Sequence, residues 1–248
     1  MTLRARLLFA AFALLAGSCG AVERSAADRF TATGELIAVS GGDAGAAHAC
    51  VVCHGLDGRG NGAGSPRLAG LDQGYLAAQL EGYASGRRRH PEMERIARKL
   101  TLAQQQAVSA YYAAVPFKAQ PRRAAARGDA AQLYHHGDPA RGLAACAACH
   151  GALGEGTGPG SPPLGGQPAA YLAEQIDQWR SARRRNDPEN IMLRISQRLS
   201  PSESGALADY AAALPGDLPH PGSREASPAA RRGDPRNDAS ALPRRGGE

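Results

Sequence analysis

Apolar residues along the chain recur at three- and four-residue spacing, and no alternating strand pattern competes with them, so the pattern predicts helices. Tyr75 to Tyr83 and Tyr171 to Trp179 are two such amphipathic segments. Each precedes a last helix announced by a capping box, Thr101-Leu-Ala-Gln104 in one case and Ser200-Pro-Ser-Glu203 in the other. Upstream, Asp43, and Asp138 with Pro139 at the first helical position, read as caps of short helices, each followed by a Gly-rich loop. The predicted class is all-α.

The same plan is written twice. Shifting the chain by 96 residues brings Gly60, Gly62, Gly64, Ser65, Pro66, Leu68 and Gly70 onto Gly156, Gly158, Gly160, Ser161, Pro162, Leu164 and Gly166. Tyr75, Gln79, Tyr83 and Arg87-Arg88-Arg89 fall on Tyr171, Gln175, Trp179 and Arg183-Arg184-Arg185. After a three-residue insertion, Met93, Leu100 and Tyr111 meet Met192, Leu199 and Tyr210. This is internal duplication, with too few copies for a solenoid. Tyr111 and Tyr210 are expected to pack the last helix of each copy against its first.

Composition makes each copy a weak folder by itself. Aromatic residues are 5% of the chain and glycines number 31, so a domain of about 90 residues has a thin apolar core. The N-terminus adds a second apolar feature of another kind. Arg4 and Arg6, the run Leu7 to Ala16, and Gly17-Ser18-Cys19-Gly20-Ala21 have the order of an export signal over 1–21, too short to span a membrane. Cys19 is either removed with it or becomes a lipidated N-terminal cysteine. Beyond Leu214 the chain turns rich in Pro, Gly, Arg and Asp, the composition of a disordered tail. The net charge of +6 includes the signal and this tail, and no basic stripe with interleaved aromatics occurs, so nucleic-acid binding is not expected.

The chemistry lies in two copies of Cys-x-x-Cys-His, Cys50-Val-Val-Cys53-His54 and Cys146-Ala-Ala-Cys149-His150. That arrangement attaches c-type haem: two thiols for the vinyl groups and an imidazole for the iron from one short turn. A redox dithiol or half a zinc site uses the same cysteine spacing, but not the histidine at the same offset twice. Two covalently bound haems are therefore expected, and they would fill the thin cores. The fifth cysteine is Cys19. Methionine occurs three times, as Met1, Met93 and Met192, and the two internal ones occupy matching places. They are read as sixth iron ligands, which would raise the reduction potential. His48, His90, His135, His136 and His220 have no counterpart in the other copy and are assigned surface or structural roles.

The order Cys-x-x-Cys-His-Gly, Gly-rich loop, Pro-x-Leu-x-Gly, Tyr-Leu-x-x-Gln, Arg-rich turn, Met and capped helix, repeated, resembles the dihaem cytochrome c4 family of tandem class I cytochrome c domains. The resemblance implies domains at 34–116 and 130–215, joined by a linker at 117–129 and followed by a tail at 216–248. It implies that the backbone carbonyls of Pro66 and Pro162 accept a hydrogen bond from the iron-bound histidines. It also implies haem propionate edges facing each other between the domains, and the arginine triplets are read as neutralising propionates or guiding docking. One departure is the span from Arg89 to Met93, four positions against seven from Arg185 to Met192.

The function implied is periplasmic electron transfer between a respiratory donor and a membrane oxidase or other acceptor. The alternative is the cytochrome subunit of a periplasmic dehydrogenase acting on sulfide, thiosulfate or an alcohol. A haem enzyme in its own right would need a vacant axial position, which a methionine in each copy argues against. With no flavin or nucleotide motif, substrate oxidation would need another chain.

Overall fold

The computed structural model describes residues 33–62, 64–117 and 128–216. The leader at 1–21 with Cys19, most of the 117–129 linker, and the tail with His220 lie outside the described residues. The described part is helical without strands. The first half contains α1 (33–40), α2 (Cys50–His54), α3 (Gln73–Ala84), α4 (Pro91–Lys99) and α5 (Leu102–Ala114). The second contains α6 (Asp129–His136), α7 (Ala147–His150), α8 (Ala169–Arg180), α9 (Ile191–Ser196) and α10 (Pro201–Ala213).

Both capping boxes form. Thr101 Oγ1 accepts from Gln104 N at 3.2 Å while Gln104 Oε1 accepts from Thr101 N at 3.1 Å, and Ser200 and Glu203 repeat the exchange. The expected Asp43 cap is not one. Asp43 sits inside a single 3-10 turn, Gly42–Ala44, and its carboxylate accepts from Gln104 Nε2 at 3.0 Å. Gly41 ahead of it is left-handed at φ 81°, so the chain is turning there rather than starting a helix. Asp138 does cap, accepting from Arg141 N at 3.3 Å, but it opens only the turn Pro139–Arg141. The helices that open the halves are α1 and α6.

α3 packs on α4 and α5, and α8 on α9 and α10. α1 crosses α5 at Gly34, where a Cβ would lie 2.2 Å from the Ala107 carbonyl oxygen and 2.7 Å from Tyr111 Cβ. In the second half, Tyr210 on α10 meets α6: its hydroxyl lies 2.8 Å from His135 Nε2 and its ring 5.4 Å from that of Tyr134. The tyrosines assigned to this packing are thus where the repeat placed them. The two cores use opposite solutions to one volume problem. Ala38 on α1 and Tyr112 on α5 share the first core, whereas the matching positions in the second are Tyr134 and Ala211.

The halves meet along a polar seam. Arg185 N donates to Arg87 O at 2.7 Å, with Arg88 and Arg184 forming an antiparallel bridge. Their side chains close a hydrogen-bonded ring. Gln79 Oε1 accepts from Arg88 Nη1 at 3.0 Å and Arg184 Nη2 at 2.8 Å, and Gln175 Oε1 accepts from Arg88 Nη2 at 2.7 Å and Arg184 Nη1 at 2.8 Å. Asn186 Nδ2 adds a third bond to Gln79 Oε1, and the Tyr171 hydroxyl accepts from Arg88 Nη2. Elsewhere on the seam, Gln167 accepts from Arg67 N at 2.9 Å and donates to Arg67 O at 3.0 Å.

Candidate cofactor sites

In each half the Cys-x-x-Cys-His segment is one helical turn, ended by a glycine at φ 79° (Gly55) or 81° (Gly151). That left-handed residue turns the chain back, and the carbonyls of His54 and His150 accept from Gly60 N and Gly156 N, each at 2.8 Å. The loop thereby brings a proline carbonyl to the histidine. His54 Nδ1 lies 2.9 Å from Pro66 O, and His150 Nδ1 lies 2.9 Å from Pro162 O. A carbonyl only accepts, so Nδ1 carries the proton and Nε2 keeps its lone pair free for a ligand bond. Both rings are buried. Burial pushes the pKa of each below the usual histidine value, against the opposing pull of the proline carbonyl. The imidazoles are held neutral, the form that ligates a metal.

A cavity of about 350 Å³ in the first half is lined by Cys50, Cys53, His54, Pro66 and Met93 together. Leu76, Leu80, Ile96 and Val108 supply apolar wall, and Tyr171 and Gln175 reach in from the second half. Met93 stands on the first turn of α4, whose N-terminus is capped by His90: Nδ1 accepts from Met93 N at 3.3 Å. His90 therefore has the structural role expected of it. Met192, half-buried, stands on α9, and Asp187 Oδ2 accepts from Met192 N at 2.8 Å. The inserted residues before it include Glu189 and Asn190, both left-handed at φ 54° and 56°. The two methionine segments are thus held by different devices. The pairing of Met192 with His150 rests on the repeat.

Cys50 and Cys146 are half-buried, and burial pushes each thiol up to about 11, whereas Cys53 and Cys149 are exposed. A thiol held protonated is the opposite of the lowered pKa that dithiol redox and zinc sites need. Among the described residues no three His, Cys, Asp or Glu side chains cluster to hold a metal ion. The donor set fits a haem instead. The first cavity is mostly apolar, and its lining includes a neutral imidazole, a thioether and two thiols. Three buried polar atoms on its wall, the Ser109 and Tyr112 hydroxyls and Arg88 Nε, have no protein partner. A group bearing both apolar ring and anionic carboxylates suits that lining.

The residues that sequence reasoning only half resolved are the arginines. Each triplet was a candidate as a whole, but only its middle member, Arg88 or Arg184, is buried. Alternate direction along an extended turn selects it, and that direction follows from the backbone path rather than from the run of arginines. The Arg67–Gln167 pair left no such trace, because neither residue is repeated.

Comparison with known proteins agrees with this geometry. The sequence profile of the family described as Cytochrome c matches residues 39–115 and 132–214, one match per half. A thiosulfate dehydrogenase electron acceptor from Stutzerimonas stutzeri is 43% identical over 183 residues, covering 72% of this chain and 85% of that protein. Cytochrome c4 of Pseudomonas aeruginosa is 34% identical over 183 residues, covering 70% and 90%. Among solved structures, thiosulfate dehydrogenase (TsdBA) from Marichromatium purpuratum superposes with a TM-score of 0.67 at 41% identity, covering 79% of this chain; this chain spans 43% of that one. Reduced cytochrome c4 from Pseudomonas stutzeri gives 0.64 at 30%, covering 74% and 97%. The relatives are electron-transfer cytochromes, and two covalently attached haem c groups go with the two matched regions. The chain belongs to the cytochrome c family, as a dihaem, cytochrome c4-like member.

Proposed function

We propose that this dihaem cytochrome accepts electrons from a periplasmic dehydrogenase acting on thiosulfate and passes them on to a membrane oxidase or another acceptor. The observation that carries the electron-transfer part is the cavity lined by both His54 and Met93, two side chains that would together hold the iron of a bound haem and leave it to electron transfer. The likeness to proteins described as thiosulfate dehydrogenase electron acceptors supports the choice of donor. A redox partner such as a dehydrogenase fits a chain that has no substrate-oxidising motif of its own.

In this reading Cys50 and Cys53, and Cys146 and Cys149, would hold the two haems through thioethers, and His54 with Met93 and His150 with Met192 would hold the irons. When bound, each haem supplies a one-electron iron couple. The protein's part is to hold that couple still and dry. Pro66 and Pro162 fix the ring and tautomer of each histidine, which also strengthens its donation. Leu76, Leu80, Ile96 and Val108 exclude water from the first site, and a soft thioether favours the reduced iron. The domains proposed are 34–116 and 130–215, with the leader directing export; intact mass of the mature protein distinguishes removal of 1–21 from a retained, lipidated Cys19.

Rapid mixing tests the function. The oxidised protein should be reduced by thiosulfate only when a thiosulfate dehydrogenase is added, and should show no thiosulfate turnover alone. Sustained turnover by the purified chain with an artificial electron acceptor would replace the carrier reading by an enzymatic one.

A further inference from the structure

Side chains alternate in direction along a paired backbone, and the bridge of Arg88 with Arg184 sets which arginines of the two triplets share a face. Arg88 and Arg184 turn inward and are buried. Arg87, Arg89, Arg183 and Arg185 are exposed, and all four line one open cleft of about 690 Å³ that crosses the seam. Neither buried arginine lines that cleft, nor does any cysteine or methionine. It is a surface separate from the cofactor sites, although His90 and Glu174 border both it and the first cavity.

Four cations on one face of a paired turn repel one another, since like charges set opposite each other destabilise such a pair. Carboxylates offset two of them: Glu81 pairs with Arg87, and Glu94 with Arg89 at 3.0 Å. The side chains of Arg183 and Arg185 make no ion pair among the described residues. Gln178 adds a second, independent observation. It is 5% exposed and lines the same cleft, and its Nε2 donates to Glu174 Oε1 at 2.8 Å, yet its own Oε1 has no partner among the described residues. A buried acceptor left unsatisfied calls for an N–H or O–H. A bare oxyanion would satisfy the two arginines but has no proton for Gln178. A polypeptide with acidic side chains has both, carboxylates on its side chains and N–H groups on its backbone. We propose that this cleft docks a carboxylate-rich segment of the redox partner protein, with Arg183 and Arg185 receiving its carboxylates and Gln178 a backbone N–H. The proposal deepens the electron-carrier reading above and rests on it. A partner seated there meets His90 and Glu174, which also border the first cavity, so it docks beside the first haem site. Exposed charge pairs are weak singly, but several of one sign together steer association.

The test uses the haem-loaded full chain and a fluorescently labelled oligoglutamate peptide, with binding followed by anisotropy. Wild type should bind the peptide, less tightly as salt rises. Arg183→Glu and Arg185→Glu should each weaken binding about fivefold. Arg183→Gln and Arg185→Gln should act in the same direction, and they decide the matter if a glutamate variant fails to fold. Lys99→Glu makes the same charge change at an exposed position outside the cleft and should leave binding unchanged. Gln178→Leu should weaken binding with its salt dependence kept, because it removes a neutral partner. The proposal is overturned if wild type does not bind the peptide, if Lys99→Glu weakens binding as much as Arg185→Glu does, or if Gln178→Leu binds like wild type. Displacement of the peptide by sulfate, where chloride at equal ionic strength displaces none, would mark a bare-anion site and overturn it as well. Reduction by a thiosulfate dehydrogenase with thiosulfate tells this failure from that of the donor reading. Wild type that binds the peptide yet is not reduced undoes the choice of donor alone, whereas variants that lose the peptide and are still reduced at the wild-type rate undo the docking.

Discussion

Met93 and Met192 stand out in the sequence because methionine is scarce and the two occupy matching places, and the structure gives them unlike surroundings. Met93 shares a cavity with His54, and Met192 is held through its backbone by Asp187 after a segment with two left-handed residues. Replacing either by Ala should lower the potential of that haem and open it to carbon monoxide, read from the difference spectrum of the reduced protein. Wild-type protein that binds carbon monoxide readily at both haems would contradict the ligation. The histidine of each site was legible from its motif, whereas the partner of each proline carbonyl was expected only through the family resemblance, and the structure places each carbonyl 2.9 Å from its histidine. Arg88 was not legible, because which of three consecutive arginines turns inward depends on the path of the backbone at the seam. Nothing in a run of like residues reveals that path.

At the scale of the element, the last helices were read correctly from four residues each, because a capping box is a local exchange that needs no tertiary help. Thr101→Ala removes the acceptor for Gln104 N and should cost about 1 kcal/mol, measured as a lowered denaturant midpoint at unchanged slope. The first helices were missed. α1 and α6 owe their place to packing on α5 and α10, with Gly34 admitting a backbone contact that helix propensity alone would discourage. The second last helix carries a pH dependence as well. Arg141 bonds Glu203 through two nitrogens, and that pairing holds the Glu203 carboxyl down at about 2. A depressed carboxyl contributes stability that is fully present above its ordinary value of 4.5 and is lost as pH falls toward about 2. The stability difference between wild type and Glu203→Gln should therefore be largest above pH 4.5 and shrink through that window in acid titrations followed by circular dichroism.

For the whole molecule, duplication foretold two similar halves but not how they would be joined, since a repeat compares each residue with its twin and says nothing of which twins meet. The seam joins the twins Arg88 and Arg184, Gln79 and Gln175, and also Arg67 and Gln167, which have none. Gln167 satisfies both backbone groups of Arg67 across it. Gln167→Leu takes one bond from each of the two peptide groups flanking buried Arg67 and should cost about 2 kcal/mol, lowering Tm by roughly 5 °C if the halves unfold together. Unchanged melting would mean the seam owes its stability to the arginine ring alone. The exchanged tyrosine has a consequence of a different order. Two related stretches of one gene can recombine with each other where they still match, which over generations would make the copies converge. Here a crossover that joins the α6 end of one copy to the α5 end of the other would bring Tyr134 and Tyr112 into one core, and the reciprocal product would set Ala38 against Ala211 around a void. Both products should lose stability, one by overpacking and the other by a cavity, and a mismatch of that kind would act as a barrier to homogenisation, letting the two halves keep separate histories inside one chain.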